Sequence, residues 1–172
     1  MIKVGKLAPI FSLEGYMNNE FRIFNLQNYE GKWIVLFFYP LDFTFICPTE
    51  VTGFSTHIAK FNELNAQILG VSIDSVHSHK AWEKEIGKLH YPLLSDIKKE
   101  VSKMYNVLDE EEGIALRATF IIDPQGIIQF QLINSNSIGR NINEIVRALS
   151  ALQTGELCPA NWVSGDQTLG KS

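Results

Sequence analysis

Residues 33–73 carry the pattern that decides the fold. They begin with Trp33-Ile-Val-Leu-Phe-Phe-Tyr39, continue through Pro40-Leu-Asp-Phe-Thr-Phe-Ile-Cys47-Pro-Thr-Glu50, and end with Gln67-Ile-Leu-Gly-Val-Ser-Ile73. The first and last runs are continuously apolar and rich in branched or aromatic residues, as suits strands covered on both faces of a mostly parallel sheet. Between them Val51, Phe54, Ile58, Phe61 and Leu64 recur at steps of three and four, giving one apolar helical stripe. Pro48 stands where the first helical position should be, because its missing N–H is an orphan there anyway. The stretch therefore predicts a β-α-β unit with a right-handed crossover.

Working outward, Phe11-Ser-Leu13 and Phe21-Arg-Ile-Phe24 flank Asn18-Asn19 and predict a small hairpin. Helices are expected over 78–88 and 97–105. Strands over 119–123 and 127–133 are joined by Asp123-Pro-Gln-Gly126, a turn signal. A closing helix starts at Asn141, with Glu144 as its N3 partner, and Ile142, Ile145, Val146, Leu149 and Leu152 line one face. Gly155 stops it. The order describes an α/β chain: a central mixed sheet with helices on both faces and an N-terminal hairpin. Beyond Gly155 periodicity ends in a polar tail, expected to be flexible.

At 172 residues the chain fits one domain and needs no disulfide or metal staple to build a core. Its 45% hydrophobic and 20% charged content is that of a soluble globule. A net charge of -4 argues against nucleic acid as a partner. The local basic pair Lys98-Lys99 adjoins Glu100 and reads as a solvated helix face. The N-terminus has no signal-peptide pattern, and the 33–39 run is too short to span a bilayer. A cytoplasmic location without membrane attachment is expected. No Walker loop or Gly-x-Gly-x-x-Gly supports nucleotide binding. His77-x-His79 lacks further ligands at suitable spacing, so no metal site is expected.

The two cysteines, Cys47 and Cys158, have opposite settings. Cys47 lies between a buried strand and the first turn of a helix, where unpaired N–H groups and the macrodipole favour a thiolate, the nucleophilic form. Cys158 sits in the polar tail between Leu157 and Pro159. Spacing alone leaves two readings of it: a mobile thiol that resolves an oxidised Cys47 by disulfide formation, or an unreactive tail cysteine.

The residues around Cys47 resemble a known active-site signature. Pro40, Thr44 and Cys47 match Pro-x3-Thr-x2-Cys of the peroxiredoxins, in particular the typical two-cysteine branch that includes the bacterial alkyl hydroperoxide reductases. Leu116-Arg117-Ala-Thr-Phe-Ile-Ile-Asp123 resembles the segment supplying that family's catalytic arginine. Gly155-Glu-Leu-Cys158-Pro-Ala resembles the segment with its resolving cysteine. The similarity runs over essentially the whole chain.

The resemblance implies a thioredoxin-like peroxidase domain over 1–154 and a tail over 155–172 carrying Cys158. It implies a peroxidase acting on hydrogen peroxide and organic hydroperoxides, with no cofactor or metal in the chain. Cys47 would form a sulfenic acid, and Cys158 of a dimer partner would condense with it. Thioredoxin or a flavoprotein disulfide reductase would restore the thiols, and dimers would assemble into a ring, commonly a decamer. Arg117 would hold the thiolate and polarise the peroxide. Thr44 would accept from the peroxide and donate toward the thiolate, and Pro40 would shape the pocket and exclude water. Glu50 either orients Arg117 or simply suits the first turn of a helix. Arg140 resembles a second arginine kept near the site.

Two rivals are weaker. A disulfide exchanger of the same fold normally uses Cys-x-x-Cys, but Thr44 occupies the first of those positions. A ring-forming chaperone would have no need of the intact motif. The region Glu85-Ile-Gly-Lys-Leu-His-Tyr-Pro92 lacks the Gly-Gly-Leu-Gly insertion of overoxidation-sensitive eukaryotic members, and no C-terminal Tyr-Phe is present. The chain is therefore expected to keep cycling under modest peroxide excess. Turnover followed across a peroxide titration checks this, and inactivation like that of the sensitive type would contradict it.

Overall fold

A computed structural model describes residues 2–171, which fall into two compact units, one ending at Arg140 and the other starting at Asn141. The first unit opens with strands β1 (Ser12–Met17) and β2 (Glu20–Asn25), the expected hairpin. Asn18 and Asn19 both take positive φ, 53° and 64°, as a two-residue turn between twisted strands requires. Strand β3 (Trp33–Phe38) is followed by helix α1 (Cys47–Thr56), helix α2 (Ile58–Glu63) and strand β4 (Ala66–Ser72). Then come α3 (Val76–Ile86), β5 (Leu93–Ser95), α4 (Glu100–Met104) and a small pair, β6 (Leu108–Asp109) and β7 (Ile114–Ala115). Strands β8 (Arg117–Ile122) and β9 (Ile128–Asn134) close the unit.

The main sheet has the order β2-β1-β5-β4-β3-β8-β9. β3, β4 and β5 run parallel, whereas β8 lies antiparallel to β3. This is the mixed sheet expected from the sequence, with the predicted β-α-β unit at its centre. Side chains of β3 alternate between two faces, as strand geometry dictates. Phe37 stacks on Phe54 of α1 with ring centroids 4.3 Å apart, and Tyr39 stacks on Trp82 of α3. On the other face Ile34, Leu36 and Phe38 join Val101 of α4, Tyr105, Phe11 and Phe120 in the hydrophobic core. Helices thus cover both faces.

Three details differ from the sequence pattern. The stripe from Val51 to Leu64 breaks at His57 into two helices. There the hydroxyls of Thr52 and Thr56 donate to the carbonyls of Pro48 and Thr52, four residues back, and the His57 ring bonds the Gly53 carbonyl. Such side-chain bonds compete with the helical ladder. The helix expected over 97–105 starts only at Glu100, because the buried Asp96 carboxylate accepts the backbone N–H groups of Val101 and Ser102. Strands β5, β6 and β7 were not anticipated from the pattern; two or three residues are too few to show a period.

The second unit contains α5 (Ile142–Thr154), with Asn141 Oδ1 accepting from the Glu144 N–H and Gly155 in the left-handed conformation at its end. Among the described residues, the tail beyond it has no helix or strand, as expected, but it is fastened rather than loose. Leu157 N–H donates to the Gly170 carbonyl, and Leu169 N–H to that of Leu157. The buried Trp162 donates from Nε1 to the Asp166 carbonyl and accepts at its own carbonyl from Arg147 of α5.

One row across the sheet ties the fold to what lies above it: Leu93, Gly70, Phe37 and Thr119 are register partners on successive strands. A Cβ at Gly70 would meet Phe37 Cζ at 2.8 Å and Leu93 Cδ2 at 2.9 Å. Both neighbours are held in a packed interior, so Gly70→Ala is expected to cost about 1–3 kcal/mol through overpacking. Denaturant unfolding measures it, and an unchanged midpoint would show that Phe37 can yield.

Candidate active site

Cys47 is the first residue of α1 and is fully buried, at 0% exposure. One turn on, Glu50 also points inward; it is a buried carboxylate on the same face of the helix as Cys47, Val51 and Phe54. Arg117 is the first residue of β8, and its Nη1 donates to Cys47 Sγ at 3.3 Å and to Glu50 Oε2 at 2.7 Å. Its Nε donates to the Asn136 carbonyl at 2.9 Å. Among the described residues, its Nη2 makes no hydrogen bond to protein.

Arg140 approaches from the loop after β9. Its Nε and backbone N–H donate to Glu50 Oε1 at 2.8 and 2.9 Å, and its Nη2 donates to Oε2 at 2.8 Å. Nη1 donates to the Ala118 carbonyl, and the guanidinium carbon lies 5.0 Å from the centroid of the Phe37 ring. Glu50 therefore accepts hydrogen bonds from both arginines, Arg117 and Arg140. Arg140, assigned only by resemblance, belongs to the same cluster.

The charges decide what this cluster favours. Two guanidinium groups and one carboxylate sum to one net positive charge in a buried place, where an uncompensated charge is costly. A Cys47 thiolate beside Arg117 balances it. Burial works to raise the Glu50 carboxyl, but hydrogen bonds and charge from Arg140, then the charge of Arg117, outweigh it and hold it below the usual carboxylate range. Burial works to lower the Arg117 guanidinium, yet its bond to Cys47 and the charge of Glu50 raise it above its ordinary value.

Two further expected residues, Pro40 and Thr44, precede Cys47 in the chain. Pro40 is buried between β3 and the loop leading to Cys47. The Thr44 hydroxyl donates to the Leu41 carbonyl at 2.9 Å rather than to Cys47, leaving its oxygen to act as an acceptor. Cys158 is half-buried in the second unit, with Thr154 Oγ1 3.5 Å from its sulfur.

Sequence reasoning gave no role to Asp42 or Tyr39 and treated His79 only as one of a histidine pair. The pair diverges: His77 is exposed against the Phe21 ring, while His79 is fully buried with Nδ1 2.8 Å from Asp42 Oδ2. Asp42 also accepts from Tyr39 Oη and Ser78 Oγ, and its backbone N–H donates to Asp74. This network fastens the loop between Pro40 and Cys47 to β4 and α3. Burial, then the neighbouring Asp42 charge, raises the Asp74 carboxyl. The available signal was spacing, since Val76, His79 and Trp82 share one face of α3.

Residues 4–131 match the AhpC/TSA family. The chain belongs to that family. The 2-cysteine peroxiredoxin of Chattonella marina chloroplasts is 48% identical to it over 98% of this chain and 92% of its own length. The reduced 2-Cys peroxiredoxin of Plasmodium vivax superposes with a TM-score of 0.93 at 43% identity, covering 96% of this chain and 91% of that one. AhpC of Enterococcus faecalis gives a TM-score of 0.87 at 40% identity, over 92% and 100% of the two chains. The fold is thus the thioredoxin-like fold of the peroxiredoxins, and this member of the AhpC/TSA family is a peroxidase.

Glu50→Gln keeps the shape of the site but leaves two buried guanidiniums poorly balanced. It is expected to cost about 3–5 kcal/mol, as breaking a buried ion pair does, and to slow Cys47 oxidation by at least about tenfold through loss of Arg117 alignment. Because the folded-state carboxyl is depressed, its stabilisation is present above the ordinary carboxylate range and is lost as pH falls through the depressed value. Urea unfolding from neutral to acid pH should show that loss in the wild type and a smaller one in the variant. Parallel curves would refute the assignment.

Proposed function

We propose that this peroxidase reduces hydrogen peroxide and organic hydroperoxides by a two-cysteine cycle. The observation that carries the reading is the buried Cys47–Arg117–Glu50–Arg140 cluster, in which Arg117 donates to both the Cys47 sulfur and the Glu50 carboxylate. The thiolate attacks one peroxide oxygen; an S–O bond forms as the O–O bond breaks, and the departing oxygen takes a proton to become water or an alcohol. Arg117 Nη2 supplies an N–H to the oxygen on which negative charge grows. Thr44 accepts from the peroxide, and Pro40 keeps water from the pocket.

Cys158 of a partner subunit then condenses with the sulfenic acid to a disulfide, and thioredoxin or a flavoprotein disulfide reductase restores both thiols by exchange. Apolar exposure supports self-association into dimers and a decameric ring: Phe45, two residues before Cys47, is 96% exposed, and β9 ends the sheet order.

Peroxide consumption with thioredoxin and its reductase, for wild type, Cys47→Ser and Cys158→Ser, tests the cycle. Wild type should turn over, Cys47→Ser should be inactive, and Cys158→Ser should stall after one turnover with no dimer band on a non-reducing gel. Turnover surviving Cys47→Ser would remove the central claim. A wild type that peroxide oxidises but thioredoxin does not reduce would point to another dithiol donor.

A further inference from the structure

The C-terminal unit holds its cysteine in a specific arrangement. At the end of α5, Gly155 takes the left-handed conformation and its N–H donates to the Leu152 carbonyl, one residue beyond the helical choice of Ala151. Two side chains serve the Ala151 carbonyl instead. The Thr154 hydroxyl donates to it at 2.8 Å, and the Cys158 thiol reaches it at 3.7 Å. The two side chains also meet each other, with Thr154 Oγ1 3.5 Å from Cys158 Sγ.

This arrangement distinguishes the two forms of Cys158. A thiol has a proton to give to the Ala151 carbonyl; a thiolate has none and faces the oxygen of that carbonyl, near the negative end of the helix dipole. The Thr154 hydroxyl is the donor in contact with the sulfur that can change sides. It now points to Ala151, and rotation about one side-chain bond redirects it to Sγ. Arg147, whose guanidinium is raised first by its bonds to Glu144 and also by the nearby Cys158, is tied to Glu144 and to the Trp162 carbonyl and stays fixed.

We propose that Thr154 is a catalytic residue of the resolving step, which rests on the assignment of Cys158 as the resolving cysteine. In the resting chain it shares the Ala151 carbonyl with a protonated Cys158. In the reaction its hydroxyl turns to the sulfur and stabilises the thiolate. That thiolate attacks the sulfenic sulfur of Cys47; the S–S bond forms, the S–O bond breaks, and hydroxide leaves and takes up the proton released by Cys158 as water. Cys158 is oxidised, the sulfenic sulfur is reduced, and no further reagent is consumed. Thr154 thereby sets how long the sulfenic acid waits.

The test compares wild type, Thr154→Val and Thr154→Ser. Disulfide formation is followed by quenched flow after one equivalent of hydrogen peroxide, and iodoacetamide alkylation of Cys158 at neutral pH is followed in a Cys47→Ser background. A hydrogen bond to a charged atom implies that Thr154→Val slows both reactions by about tenfold or more, while Thr154→Ser retains both to within about threefold of wild type. Thermal melts of all three proteins separate this from loss of the tail fold: a matched melting temperature with slow alkylation supports the proposal. Val rates equal to or faster than wild type overturn it, as does a serine variant as slow as the valine one. A wild type that forms no Cys47–Cys158 disulfide at all overturns the two-cysteine cycle itself, a different result from an unchanged Val rate.

Discussion

The hydrogen-bonded grip of two arginines on the Glu50 carboxylate is the interaction on which the site depends. It joins the first turn of α1, the start of β8 and the loop after β9, which are distant in sequence. Buried ion clusters are poor stabilisers by themselves, because desolvation offsets most of the Coulombic gain. Their value here is positional: they leave one positive charge facing the sulfur and fix the direction of the Arg117 N–H groups. Packing supports the grip from below, since Arg140 lies over Phe37, which in turn stacks on Phe54.

The main architecture was legible because it rests on local signals of adequate length. The continuous apolar strands β3 and β4, the paired asparagines of the hairpin and the Asn141–Glu144 start of α5 each carry a complete pattern. Where side chains overrode the pattern, legibility failed. The hydroxyls of Thr52 and Thr56 split one helix into two, and Asp96 delayed the start of α4. Neither effect has a period to detect.

The site divides along the same line. The position of Cys47 was readable from its place between strand and helix, and Arg117 was singled out only from likeness to a family. Glu50 stayed ambiguous because a first-turn glutamate suits a helix whether or not it has a partner. The Asp42–His79 pair was invisible, since its members lie on different elements and meet only when the loop folds back onto α3. The C-terminal tail shows the converse error: a polar composition suggested looseness, whereas backbone bonds between 157 and 169–170 and the buried Trp162 tie it down.

Strand β3 separates two kinds of selection within six residues. Phe37 underlies the chemistry, while Leu36 and Phe38, one position to either side, face a core of ordinary hydrophobic contacts. Exchange among large apolar side chains is tolerated where volume and shape are the only demands, but a ring beneath a guanidinium also contributes its electron-rich face. Divergence along this strand should therefore alternate: the core-facing positions are free to drift among aliphatic and aromatic residues over evolutionary time, and the ring at Phe37 is held aromatic for as long as Arg140 stays above it.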